Sequence, residues 1–171
     1  MIKHALFEYI PSRKLASASF EEQDVCRMIL GFKDGRNVYS RWAAMRMAYA
    51  LSSVDMTDVV VVCVPASTAY ANTRRWKVFS HLLCRLTGAV DGFGHVRVSG
   101  SRKRAHITGD YELATNIKHY VTFDSDYFRG RKVVVVDDIW TTGRSSQAFI
   151  GALEACGATV VMAMFLAKTR R

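Results

Sequence analysis

The chain has 171 residues, of which 50% are hydrophobic and 23% are charged. These proportions are typical of a soluble globular protein and exclude whole-chain disorder, collagen and coiled coil. The 24 Lys and Arg residues outnumber the 15 Asp and Glu residues, which gives a net charge of +9. A balance this basic favours anionic partners such as nucleic acid, phosphorylated metabolites or acidic lipid. The length indicates one domain that can fold without a disulfide or a metal ion.

The cysteine pattern and the apolar stretches indicate the cellular compartment in which the protein is expected. No two cysteines have CxxC spacing, so the sequence predicts buried free thiols, typical of a reducing compartment, and no zinc site: Cys26, Cys63, Cys84 and Cys156. The N-terminus lacks the features of a signal peptide. The longest apolar stretch is far short of the ~20 residues of a membrane helix. We therefore expect a cytoplasmic protein that does not associate with membranes.

The N-terminal half predicts two helices and a strand. Ser19 followed by Glu22 is typical of a capping box at a helix start. A second helix is predicted from about residue 38. Its apolar positions recur with helical spacing and predict one buried face: Val38, Trp42, Met45 and Tyr49. Residues 59–64 form a continuous apolar run, which is typical of a strand buried on both faces of a parallel sheet.

The rest of the chain alternates helices and strands. A third helix is predicted over residues 73–86, with Trp76, Phe79, Leu83 and Leu86 on its inward face. Short strands are predicted at residues 95–98 and 120–123, and a second buried strand at residues 132–136. A helix at residues 144–156 and a strand at residues 159–165 complete a βαβ unit. The predicted fold is α/β, an open, mainly parallel twisted sheet with helices on both faces.

Two aspartates follow the buried strand at residues 132–136. In open α/β sheets, ligands bind beyond the carboxyl ends of the strands, where Asp137 and Asp138 are expected. Two adjacent carboxylates are costly there without a partner. They can accept hydrogen bonds from vicinal hydroxyls, as on a ribose, and they repel phosphate. The pair is therefore expected to face a sugar.

A short polar turn follows the aspartates and opens the next helix. Backbone N–H groups at a helix start, together with hydroxyl side chains, can hold a phosphate monoester: Thr141, Thr142, Gly143, Arg144 and Ser145. The acidic pair and the phosphate cradle together describe a ribose 5-phosphate unit. The alternative is a solvated strand end followed by a plain helix cap, but the complete run is far more specific than either piece alone.

The run over residues 133–145 resembles the phosphoribosyl pyrophosphate (PRPP) signature of type I phosphoribosyltransferases. Looser similarities point to the ComF-type branch, which is associated with competence for DNA uptake. These are a Lys-Asp-Gly turn at residues 32–36, a proline turn at residues 64–68, Asn116 and Phe123 before the PRPP strand, and a final strand at residues 164–170. Members of that branch often begin with a four-cysteine zinc module, which this chain lacks.

The resemblance implies an enzyme that transfers ribose 5-phosphate from PRPP to a nitrogenous base or amine, releasing pyrophosphate. Asp137 and Asp138 would hold the ribose hydroxyls, and the turn after them the 5-phosphate. Mg²⁺ would bind through the PRPP oxygens, without direct protein ligands. The turn after the first core strand would be the pyrophosphate loop, unless it merely ends the strand: Pro65, Ala66, Ser67 and Thr68. Related enzymes are often homodimers.

A basic stretch lies where this fold places a flexible lid. Arg102, Lys103 and Arg104 would stabilise the departing pyrophosphate. His106 suits acid–base chemistry, but a solvated basic loop is the favoured interpretation for it. Three basic residues nearer the N-terminus suit two roles equally well. They could neutralise the pyrophosphate or form the solvated face of a helix: Arg74, Arg75 and Lys77.

Residues 1–37 are the candidate hood over an acceptor base, with residues 38–171 as the phosphoribosyltransferase core. Phe7, Tyr9 and Phe32 could stack on the base or belong to the core. The rival hypothesis is a non-catalytic protein that binds PRPP or a nucleotide, or that handles single-stranded DNA through its basic surface. A response regulator fits poorly, because its acidic pair normally follows the first strand.

Overall fold

The computed structural model of the protein describes residues 1–99 and 117–170, apart from the side chain of Lys118. The candidate lid residues Arg102, Lys103 and Arg104 lie outside these ranges, as do His106 and Asn116. Within them, no helix is long and apolar enough to cross a membrane.

A five-stranded parallel sheet is the centre of the fold, with the strand order β1–β7–β6–β2–β3. Two further strands, β4 and β5, form a separate antiparallel pair. The strands are β1 (Ile2–Tyr9), β2 (Val60–Cys63), β3 (Val90–Asp91), β4 (Val96–Val98), β5 (Val121–Phe123), β6 (Lys132–Trp140) and β7 (Thr159–Thr169). The helices are α1 (Ser12–Leu15), α2 (Phe20–Lys33), α3 (Asn37–Ala50), α4 (Ala69–Thr87), α5 (Ser125–Phe128) and α6 (Arg144–Ala155).

The sheet is buried on both faces. Along β6, Val134 and Val136 join the core beneath α2, α3 and α4. Val133 and Val135 join a second core, which α6 and the β4–β5 pair cover. Successive side chains of a strand point to opposite faces, so a continuous valine run supplies both cores. The predicted α/β architecture with helices on both faces is confirmed.

The first 37 residues are built into the sheet and its core. Strand β1 pairs with β7, and the capping box predicted at the start of α2 is present. Phe32 is 1% exposed and packs against Trp76 and Phe79, and Phe7 stacks on Trp42. Two of the three aromatic residues considered for base stacking therefore serve in packing. A hood role for this segment remains a prediction.

The buried face predicted for α3 is wrong for three of its four residues, whereas Trp42 is partly buried against the core. Val38, Met45 and Tyr49 are 67%, 62% and 80% exposed. The buried side is formed mainly by small residues, together with one methionine: Ser40, Ala43, Ala44 and Met47. Small side chains let α3 approach α4 closely, so packing outweighs hydrophobicity in orienting the helix. Leu86, which was predicted on the inward face of α4, is 52% exposed.

Two strands run further than their sequence patterns predict. β6 continues to Trp140 and β7 to Thr169, because the two strands go on pairing, with Ile139 opposite Ala167. Asp137 and Asp138 therefore lie within the last four residues of β6 and not beyond the end of the strand. Of the four thiols, Cys156 is only partly buried, whereas the other three are buried as expected.

Candidate active site

A cavity of about 540 Å³ opens at the carboxyl edge of the sheet. Parallel strands end at a common edge, so the ends of β1, β2 and β6 meet here. The lining includes both aspartates, the polar turn before α6 and most of the turn after β2. The ends of β1, β2 and β6, which are far apart in sequence, are thus brought to one cavity.

Asp137 presents a partly free carboxylate to the cavity. Its Oδ1 accepts a hydrogen bond from the backbone N–H of Asp138 at 2.8 Å. Its Oδ2 has no hydrogen-bond partner among residues 1–99 and 117–170. Desolvation, followed by repulsion from the Asp138 carboxylate, raises the pKa of Asp137 well above its ordinary value. One carboxylate oxygen therefore remains available to a ligand hydroxyl or cation.

Asp138 is 7% exposed and is held from two sides. Its Oδ1 accepts the backbone N–H of Ile139 at 2.6 Å, and its Oδ2 accepts Nη1 of Arg75 at 2.8 Å. Nε of Arg75 also donates to the carbonyl of Lys33 at 2.9 Å. This guanidinium therefore ties the end of α2 to the acidic pair on β6.

The three cations of α4 are not equivalent. Arg75 lines the cavity, whereas Arg74 and Lys77 are exposed and lie outside its lining. The sequence left open whether these cations face the ligand or the solvent. The structure places one in the cavity and the other two on the solvated face of the helix.

The turn before α6 wraps around the cavity, which all five candidate phosphate-binding residues line. Gly143 caps α6 in the left-handed conformation with φ 79°, and a Cβ here would lie 2.9 Å from Nε1 of Trp140. The indole stacks on Phe165 and so forms a rigid support behind the turn. Ser146 closes the turn by donating its hydroxyl to the carbonyl of Gly143 at 3.0 Å. The turn is fixed close to the first N–H groups of a helix, where an anion is favoured.

The turn after β2 is ordered by a buried amide. Oδ1 of Asn72 accepts the N–H of Ala66 at 3.0 Å, and both residues are buried. Pro65, Ala66 and Ser67 line the cavity, whereas Thr68 does not. The Thr68 hydroxyl accepts the N–H of Ala71 at 3.1 Å and so caps α4. Pyrophosphate binding by these four residues remains a prediction.

Replacing Asn72 should loosen this turn. Asn72→Ala leaves the buried N–H of Ala66 without its acceptor, which we expect to lower the free energy of unfolding by about 1–3 kcal/mol. Urea denaturation measures this loss. Thr73→Ala, at the exposed neighbouring position, should change stability by less than about 0.5 kcal/mol. Equal effects in both variants would show that the amide does not order the turn.

Besides these residues, Val64 and four others line the cavity, and the sequence pattern does not single them out as ligand-binding positions. The four others are Tyr9, Lys33, Ile139 and Ser146. Tyr9 ends β1, and that strand's place beside β7 has no local signal in the sequence. Lys33 belongs to the Lys-Asp-Gly turn at residues 32–36, which only the family resemblance singles out. Ile139 lies within β6, which extends beyond the apolar run from which the strand was predicted.

The fold and the cavity define a class of protein. A parallel sheet whose carboxyl edge joins two carboxylates to the start of a helix is suited to a phosphorylated sugar. The chain matches the phosphoribosyl transferase domain over residues 38–171. It therefore belongs to the phosphoribosyl transferase family.

Proposed function

We propose that the protein transfers ribose 5-phosphate from PRPP to a nitrogen nucleophile, with Mg²⁺ and release of pyrophosphate. The observation that supports this most is the continuity of β6, the polar turn and α6 around one cavity. A carboxylate for ribose hydroxyls and a cradle for a phosphate lie within eight residues of each other. The coarser assignment, to a family of transferases, comes from the family match.

The proposed reaction divides the work between the two ends of the ligand. The turn of residues 141–145 anchors the 5-phosphate, so that binding energy far from the reacting carbon orients the sugar. The free oxygen of Asp137 accepts a ribose hydroxyl. The anomeric C–O bond breaks through an oxocarbenium-like state, pyrophosphate leaves, and a C–N bond forms to the acceptor. Negative charge on Asp137 and Asp138 favours the positive charge that develops on the sugar ring.

The residues present are compatible with Mg²⁺ held chiefly by substrate. This ion prefers one or two carboxylates together with phosphate oxygens and water. Of the four carboxylate oxygens of Asp137 and Asp138, only Oδ2 of Asp137 has no hydrogen-bond partner among residues 1–99 and 117–170, and Asp137 lines the cavity. When bound, Mg²⁺ would neutralise charge on the pyrophosphate group. The protein's own contribution is to hold that oxygen in place.

Other parts of the proposal rest on the resemblance to type I phosphoribosyltransferases. Pyrophosphate would lie on the turn after β2, with Arg102, Lys103 and Arg104 as the lid. The acceptor would lie beside Tyr9 and Ile139, which both line the cavity. A homodimer and a cytoplasmic location are likewise proposals. The rival, a protein that binds PRPP without turnover, is distinguished by measuring both binding and pyrophosphate release.

A glycine pair in the chain offers a matched test of the cradle. Gly143→Ala places a Cβ against Trp140 and strains a left-handed residue by roughly 1–2 kcal/mol. We expect it to weaken PRPP binding at least tenfold in a calorimetric titration with Mg²⁺. The turn must shift to relieve the contact, and the N–H groups that face the phosphate shift with it.

The control is Gly151→Ala, in the interior of α6, where a Cβ meets nothing within 4 Å. It should bind PRPP as the wild type does and gain up to about 1 kcal/mol of stability. Release of pyrophosphate with a panel of nitrogenous bases and amines then tests turnover. Undetectable PRPP binding by the folded wild type would refute the proposal, and binding without any turnover would favour the non-catalytic rival.

A further inference from the structure

Helices α3 and α4 form a layer whose side chains include no carboxylate. The chain has no Asp or Glu between Asp34 and Asp55, or between Asp58 and Asp91. These two stretches contain both helices entirely, and the helices pack against each other over one face of the sheet. We call the exposed side of this layer the α3–α4 face. Its formal charge is wholly positive.

On α4, five exposed polar residues follow one line. They are spaced by three or four residues, which places them on a single side of the helix: Tyr70, Arg74, Lys77, His81 and Arg85. At 1.5 Å per residue, the line extends for about 22 Å. Across residues 1–99 and 117–170, neither Lys77 nor either of the two arginines in the line forms an ion pair with a carboxylate. The charges are therefore left for an external anion.

Exposed aromatic and apolar side chains accompany these cations. Tyr70 is 72% exposed, and the guanidinium of Arg74 lies 5.6 Å from its ring centre. On α3, three of the four residues predicted to be buried are instead at the surface, and Tyr49 among them is 80% exposed. Arg41 and Arg46 are exposed on the same helix. Single exposed apolar residues are ordinary, but here the exposed ring of Tyr70 lies against a cation, on a helix that has no carboxylate.

We propose that the α3–α4 face binds single-stranded nucleic acid. Arginine and lysine side chains would neutralise the phosphates, and the tyrosine rings would stack on unpaired bases. A paired duplex hides its base faces and would leave the tyrosines unused, so the rings favour a single strand. This face is separate from the cavity, because Arg74 and Lys77 lie outside the lining to which Arg75 belongs. The proposal adds to the transferase activity and does not depend on it.

The test is fluorescence anisotropy with a labelled oligothymidylate of about 20 nucleotides at 50 and 200 mM salt. The triple variant Arg74→Glu, Lys77→Glu, Arg85→Glu should bind at least tenfold more weakly than the wild type at 50 mM salt. Its log K against log salt slope should be shallower by about 2, because each neutralised phosphate of a single strand contributes about 0.7. Tyr70→Ala should weaken binding about tenfold through lost stacking.

The matched control makes the same change of charge elsewhere, with Arg97→Glu, Arg129→Glu and Lys132→Glu. It should keep most of the wild-type affinity, and circular dichroism checks that both triple variants are folded. Equal weakening in the two triples, or no binding of the oligonucleotide by the wild type at 50 mM salt, would overturn the proposal. So would displacement of the oligonucleotide by PRPP at constant ionic strength, which would place the strand in the cavity. Stronger binding to duplex DNA or to phosphatidylglycerol vesicles would assign the face to another partner.

Discussion

Asp137→Asn should remove most of the affinity for PRPP while leaving the protein at least as stable as the wild type. The carboxylate offers its free oxygen to a ribose hydroxyl, and a hydrogen bond to a charged group contributes about 1.5–3 kcal/mol. A loss of PRPP affinity of about tenfold to hundredfold is therefore expected by calorimetry. Turnover should fall further, because the negative charge that favours the developing cation on the sugar is also lost.

The expected stability of this variant follows from the raised pKa of Asp137. A carboxylate with a folded-state pKa above its unfolded value destabilises the fold once pH rises through that range. At neutral pH the amide removes this unfavourable charge, and a gain of about 1 kcal/mol would raise Tm by about 2–4 °C. Below the ordinary aspartate pKa, of about 4, the two proteins should have equal stability. Thermal unfolding at pH 7.5 and pH 4 measures the difference.

Asp126→Asn is the control, because its side chain is 88% exposed and its ion pair with Arg129 is a surface pair. Such pairs contribute about 0–1 kcal/mol. This variant should bind PRPP as tightly as the wild type does. If Asp137→Asn also retained full affinity and turnover, the acidic pair would have no role in ligand binding.

The sequence was most informative where a residue pattern is compatible with only one local structure. The valine run of β6 must be buried on both faces, and this predicts a parallel sheet covered by helices. Gly143 and the threonines before it predict a turn at a helix start. Both predictions depend on backbone chemistry within about a dozen residues, and such local rules can be inferred without knowing the tertiary structure.

The predictions that failed depend on contacts between distant segments. On α3, Val38 and Met45 have the spacing of a buried face, yet small residues turn the other side inward. The periodicity of a helix shows that one face differs from the rest, but the partner helix decides which face it covers. The contact between Arg75 and Asp138 joins residues 63 positions apart, so sequence spacing contains no signal for it.

Arg75→Met should cause the largest loss of stability that we expect from a single substitution. The side chains of Arg75 and Asp138 are 16% and 10% exposed, so the ion pair is largely withdrawn from water. Removing one partner of such a pair typically destabilises a protein by about 3–5 kcal/mol, because the remaining charge stays buried. Here the remaining charge is a carboxylate next to Asp137, and repulsion between the two increases the loss. The carbonyl of Lys33 also loses its donor.

The pH dependence identifies the cause of this loss. The guanidinium of Arg75 lowers the pKa of Asp137, so its removal should raise that pKa further above the ordinary value, and the stability of Arg75→Met should rise as pH falls from 7.5 to 5. The deficit relative to the wild type should shrink over the same range in urea denaturation. Arg74→Met, the exposed neighbour, should stay within about 0.5 kcal/mol of the wild type at both pH values. A deficit of Arg75→Met that does not change with pH would mean that the arginine stabilises the fold through its packing and its bond to Lys33, and not by neutralising the acidic pair.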